Sequence, residues 1–304
     1  MYQSSQPPIL SRVLSRLQAP SAPWADSEIT DTAGRYGVAG ASDVPGTSVA
    51  PASSGASGTS DHSPIVLVHG TAGSRANFEE SAPVIKTSGR PVLSVSYGHR
   101  GTTDIRWSLE EVIAQLTILT DRYGSIDLVG HSQGGLLSLA ASGILNEAAS
   151  APRIDHVVGL AADFRGVARP WFRPPECPLL RSIDRALCPA FADQLVGSEA
   201  LAEVLPHTAT SRVPVTQIIT RFDRIVPADR AVAFTAFDEL SGVPAHQGPT
   251  RVVEVQDHFP DAQFGHAVMP HRPVVGQLVV DALAAPPVDQ RTGVRAAVGS
   301  GVTG

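Results

Sequence analysis

Short apolar runs recur along the middle of the chain, and longer stretches with a helical period separate them. "PIVLVHG" (64–70), "PVLSVSYG" (91–98), "IDLVG" (126–130), "IDHVVGLAA" (154–162), "VPVTQIIT" (213–220) and "TRVVEVQD" (250–257) are rich in Val and Ile without strict polar alternation. Runs of that kind predict strands covered on both faces. Between them, residues 104–124 place Trp107, Val112, Leu116 and Leu119 toward one side of a helix. Residues 133–147 predict a second helix, and 273–285 a third that opens with proline at a favourable first-turn position. Strands alternating with helices predict a mostly parallel α/β sheet with helices on both faces.

One interval breaks that rhythm. Residues 163–212, between the fourth and fifth of these strands, are rich in proline and hold both cysteines, which predicts an insertion over the sheet, a cap or lid. Its apolar residues Trp171, Phe172, Leu179, Leu180, Leu187 and Phe191 are expected to shape a pocket there, with packing of the cap onto the sheet as the plainer use. Residues 1–62 are dominated by Pro, Ser, Ala, Gly and Thr and predict a flexible segment without a core of its own. The expected organisation is therefore that segment, a domain over 63–285, and a loose tail from 286 to 304.

Composition narrows the classes. With 304 residues, 42% apolar and 17% charged, the chain can build a sizeable core. A net charge of −6 argues against a nucleic-acid or anionic-membrane surface. No apolar run approaches the ~20 residues of a membrane span. In residues 1–20, Arg12 and Arg16 interrupt what would be the apolar core of a secretory signal. Cys177 and Cys188 flank one Arg/Pro-rich segment and each precedes a proline, so a local disulfide is expected, with two unrelated thiols as the alternative. A two-cysteine metal site would need further ligands nearby, and none is evident, so no metal or cofactor is expected.

The candidate chemistry centres on "GHSQG" (130–134), which fits G-x-S-x-G at a strand-to-helix turn. The glycines two before and two after Ser132 remove side chains that would collide across so sharp a turn. A serine hydroxyl needs a base, and the base needs an orienting acid. Each should lie in a loop after a later strand, in the order Ser, acid, His. "VPVTQIITRFDRIVP" offers Asp223; Asp163 after the preceding strand is the runner-up, and Asp229 reads as a helix-start residue. Of ten histidines, His266 follows the last strand and its loop and precedes the last helix. His258 lies too close to the strand end, and His271 reads as a solvated residue before the helix. The backbone N–H groups of Gln133 and Thr71 are the expected donors to a developing oxyanion, the first at a helix N-terminus and the second in "VHGTAGS". That loop could also be a plain strand–helix turn; the lysine of a phosphate-binding loop is absent from it.

Together, "PIVLVHGTAGSRANFEES", "VSYGHRGTTDI", "IDLVGHSQGGLLS", "TRFDRIVP" and "DHFPDAQFGHAVM" resemble the bacterial triacylglycerol lipases and esterases of the lipase class 2 group, within the α/β-hydrolase fold. The resemblance covers about residues 63–285. It implies Ser132 as nucleophile, Asp223 as acid, His266 as base, and Thr71 and Gln133 as oxyanion donors. It also implies hydrolysis of carboxylic esters, small or lipid, with contact at a lipid interface and no obligate protein partner. Members of the group are generally exported, so secretion is the expected localisation. An acyltransferase or thioesterase could use the same three residues, and a binding protein on a degenerate hydrolase fold is the non-enzymatic alternative.

Overall fold

The structure, a computed structural model, describes residues 63–151, 153–168 and 188–287 together with a two-residue strand at 30–31. The remainder of 1–62 and of the tail, and Cys177, Trp171, Phe172, Leu179, Leu180 and Leu187 in the interval after 168, lie outside the described residues.

Among the described residues seven strands form one sheet: β1 (Thr30–Asp31), β2 (Ile65–Val68), β3 (Val92–Val95), β4 (Ile126–His131), β5 (Ile154–Leu160), β6 (Val215–Ile219) and β7 (Thr250–Glu254). Their order across the sheet is β1-β3-β2-β4-β5-β6-β7. The six strands from β2 onward pair in parallel, with Val66 opposite both Leu93 and Leu128; β1 alone runs antiparallel, against β3. β2, β3, β4 and β6 are buried at every position, as the unbroken apolar runs require.

Alternation along each strand divides the core in two. Val66, Val68, Leu128 and Val157 face helices α1 (Ile105–Tyr123), α2 (Gln133–Ala148) and α4 (Glu199–Thr210). Ile65, Leu67, Val129, Val158 and Ile218 face the short helix Ala82–Ile85 and the last helix, α5 (Pro273–Ala284). Both faces are thereby dry, and the strands' own backbone pairing leaves little room for sequence variation other than in size.

α1 begins where Asp104 caps it, its carboxylate accepting from the Arg106 N–H at 2.8 Å. Val112, Leu116 and Leu119 are buried on α1, whereas Trp107 is 57% exposed. At 100° per residue Trp107 lies well round the helix from Val112, so it does not share the core face. α2 is buried from Gln133 to Leu145 and is the central helix of its layer.

Within the interval 163–212 a short helix, α3 (Pro189–Asp193), precedes α4, and α4 packs on α2. Ala200, Leu201, Val204 and Leu205 of α4 join the same core as α2. The two helices meet so closely that a Cβ on Gly143 would stand 2.1 Å from the His207 carbonyl oxygen. That stretch therefore belongs to the layer flanking the sheet. The expected Cys177–Cys188 disulfide is not supported: Cys188 is a free thiol whose Sγ donates to the Thr102 carbonyl at 3.7 Å, an orientation set by α3 docking beside α1. β7 closes one side of the sheet and is half exposed, with Val252 at 39%.

Candidate active site

The candidate residues gather at the C-terminal ends of the strands. β4 runs straight into α2 at Ser132, whose backbone takes φ 52°, ψ −125°. A side chain is rarely carried there, and such a conformation costs about 1–3 kcal/mol. It is held by the Ser132 N–H donating to Leu160 O of β5 at 3.1 Å, and by the Gly135 N–H donating to Ser132 O at 2.8 Å. The flanking glycines are needed for clearance. A Cβ on Gly130 would lie 2.5 Å from the Gly134 carbonyl, and one on Gly134 would lie 2.3 Å from the carbonyls of Val68 and His69.

Asp223 sits in the turn after β6, closed by its N–H donating to Thr220 O. One carboxylate oxygen, Oδ1, accepts from the backbone N–H groups of Ile225 and Val226, each at 2.8 Å. The other, Oδ2, accepts from His266 Nδ1 at 2.7 Å. With that proton on Nδ1, Nε2 carries the lone pair, and it lies 2.9 Å from Ser132 Oγ. Ser132, Asp223 and His266 thus form one hydrogen-bonded chain across three loops, each at most 8% exposed. Asp229 lies in the first turn of a short helix, Ala228–Ala231, and His258 ends another, Val255–His258. His271 closes the 3₁₀ turn that His266 opens.

The loop after β2 turns at Gly70–Gly73, where the Gly73 N–H reaches Gly70 O at 3.0 Å. A Cβ on Gly70 would fall 3.1 Å from Ser132 Cβ, so the backbone leading into Thr71 runs beside the serine. Arg100 clamps this turn, donating to Ala72 O at 2.9 Å and Gly73 O at 3.3 Å. Gln194 Nε2 donates to Thr71 Oγ1 at 2.9 Å. Gln133 opens α2, and N–H groups in the first turn of a helix lack intrahelical partners.

Several residues here escape a motif search. Arg100 and Gln194 have no spacing rule that ties them to the Thr71 turn. His69 stacks on Tyr97 with centroids 4.4 Å apart and planes 3° apart, and Tyr97 Oη donates to His69 O at 2.6 Å. Burial pushes the His69 imidazole down to about 4 and the Tyr97 phenol well above its usual value. Asp163, the runner-up acid, is wholly buried three residues beyond β5, and neither of its carboxyl oxygens has a hydrogen-bond partner. Burial raises it to about 6. Phe222, Ile225 and Val268, close in sequence to Asp223 and His266, are exposed apolar residues. A pocket of about 700 Å³ lined by Ser142, Asn146, Asp155 and Arg212 lies at the opposite, N-terminal ends of the strands and holds none of the candidate residues.

A mostly parallel sheet with a serine on the sharp turn after a central strand, and an acid and a histidine after later ones, defines the α/β-hydrolase class. The chain belongs to the Alpha/beta hydrolase family, whose profile matches residues 65–289. Aspergillus fumigatus lipase B superposes with a TM-score of 0.58 at 19% identity, over 77% of this chain and 57% of that one. An esterase from Pyrobaculum calidifontis gives 0.49 at 15% identity, over 73% of this chain and 76% of its own. A monoacylglycerol lipase from Paleococcus ferrophilus gives 0.48 at 14%, over 73% and 95%. The likeness to the Aspergillus lipase is one of fold, and the chain spans little more than half that protein's length. No curated protein matches the sequence. Among the described residues no helix is long and apolar enough to cross a membrane, and no cluster of side chains could hold a metal.

Proposed function

We propose that the protein is a carboxylic ester hydrolase that works through an acyl-enzyme on Ser132. The observation that carries this reading is the hydrogen-bonded chain from Ser132 Oγ through His266 to Asp223, at 2.9 and 2.7 Å. His266 Nε2 takes the serine proton as Oγ attacks the ester carbonyl, and then gives it to the leaving alcohol. Water, deprotonated by the same nitrogen, attacks the acyl-enzyme and releases the acid. Asp223 keeps the proton of His266 on Nδ1 and stabilises the imidazolium while it exists. The N–H groups of Gln133 and Thr71 receive the oxyanion. The exposed Phe222, Ile225 and Val268 give the rim an apolar character that suits an acyl chain, in keeping with the resemblance to lipase class 2 enzymes.

The test is turnover of p-nitrophenyl esters of increasing acyl length, alongside an acyl-CoA. Ester cleavage is expected, with loss of essentially all of it in Ser132→Ala and a fall of about 10⁴-fold in kcat for Asp223→Asn. Activity surviving in Ser132→Ala would sink the site, and a preference for the thioester would sink the ester assignment.

A further inference from the structure

The residue just before the serine, His131, is buried and takes no part in the chemistry above. We propose that His131 is a positioning residue that registers the base and the Gly70–Gly73 turn against the serine through one neutral imidazole. This inference rests on the Ser132–His266–Asp223 reading.

The contacts of the ring carry the argument. His131 Nε2 lies 3.0 Å from the backbone oxygen of His266. A carbonyl only accepts, so Nε2 bears the proton and the ring donates to the main chain of the base itself. The ring centroids of His131 and His266 are 4.8 Å apart, with the planes tilted 45°. The opposite edge faces the turn before Thr71: a Cβ on Gly70 would lie 2.8 Å from His131 Nδ1. Only glycine leaves the ring that space. His131 Nδ1 has no hydrogen-bond partner, as expected of an edge shaped by contact with Gly70.

One side chain on β4 therefore touches two other segments that must meet at Ser132. The peptide plane of His266 is fixed by a donor on the strand that carries the nucleophile, and this sets where Nε2 of the base can point. Neutrality is part of the arrangement. His131 is buried among His266, His69 and His271, and that burial holds its proton affinity well below the usual histidine range. A charged His131 would oppose the imidazolium that His266 becomes during turnover.

Three substitutions separate positioning from packing. His131→Phe keeps the ring and removes the donor. His131→Gln places an amide N–H at a reach similar to Nε2, and His131→Asn stops about one bond short. Turnover of a p-nitrophenyl ester, normalised to folded protein by circular dichroism, is expected to drop about 10²-fold in kcat for the phenylalanine variant. KM should stay within about twofold. Glutamine should restore most of the loss, and asparagine should not. Equal kcat in a folded His131→Phe, or equal losses in all three variants, would overturn the proposal. Ser132→Ala in parallel keeps the two readings apart, because activity there overturns the site rather than the role of His131. Independently of any variant, ¹⁵N-histidine NMR of the intact protein should show His131 as the neutral Nε2–H tautomer from pH 5 to 8. An Nδ1–H tautomer, or titration in that range, would overturn the inference as well.

Discussion

A wholly buried carboxyl without a hydrogen bond works against the fold whenever it is charged, and Asp163 is such a group. Its proton affinity is raised from 3.8 to about 6, so the folded state holds that proton more tightly than the unfolded chain. Its contribution to stability is complete below pH 3.8 and is lost as the pH rises through about 6. The difference amounts to about 3 kcal/mol. Asp163→Asn should accordingly melt at a higher temperature than the parent at pH 7.5, with the gap closing toward pH 4; an unchanged gap across that range would show that the carboxyl is not ionising in place. At the same scale, the residues that a sequence reader can pick are those that end a strand. Ser132, Asp223 and His266 each follow an apolar run, and the structure sets them within hydrogen-bond distance. Gln194 and Arg100 reach the Thr71 turn from far along the chain; Arg100 lies within "VSYGHRGTTDI", but nothing local to either residue says that its side chain meets that turn. Cys188 misled for a related reason: proximity in sequence to Cys177 carries no information on where its thiol points, which is at Thr102.

Helix-to-helix distance is set by single residues, and at Gly143 the contact is between backbones. Replacing that glycine with alanine gains about 1 kcal/mol of helix propensity. Against it stands a Cβ 2.1 Å from the His207 carbonyl, which forces α2 and α4 apart, and overpacking of that kind costs about 1–3 kcal/mol. The contact outweighs the propensity, so Gly143→Ala should lower the melting temperature, and a variant as stable as the parent would mean that α4 yields freely. The six parallel strands and the helices α1, α2 and α5 were legible because short strands without strict polar alternation leave Val/Ile-rich runs and the helices keep their period; β1, two residues inside the segment expected to be flexible, was not. The interval 163–212 was harder to read. Its proline-rich first half hides the ordinary helix of Glu199–Thr210, whose apolar face is only four residues, Ala200, Leu201, Val204 and Leu205. β7 illustrates a different limit: "TRVVEVQD" reads as one strand, yet the chain turns into a helix at Val255, because that residue must leave the sheet to pack against the core under α5.

Across the whole molecule, buried histidines set the acid limit. His69 and His156 are each lowered by burial from 6.5 to about 4, and His131 and His246 are lowered for the same cause. A depressed histidine stabilises the fold above its unfolded value of 6.5 and withdraws that support as the pH falls toward the folded value. His69 and His156 together outweigh the opposite contribution of Asp163, each of the three being worth about 3 kcal/mol. Denaturant midpoints should therefore fall steadily between pH 6.5 and 4; a flat profile there would show that these rings gain protons without opposing the fold. The half-exposed β7 has a consequence of another kind. His266, the proposed base, follows that strand, whereas Ser132, the proposed nucleophile, stands at the centre of the sheet, so the two depend on regions of unequal protection. Segments with few buried contacts open locally at a fraction of the free energy of global unfolding. On the proposed mechanism, turnover gauges how firmly one border of the sheet is fastened, and the molecule can fall silent while most of its architecture still stands.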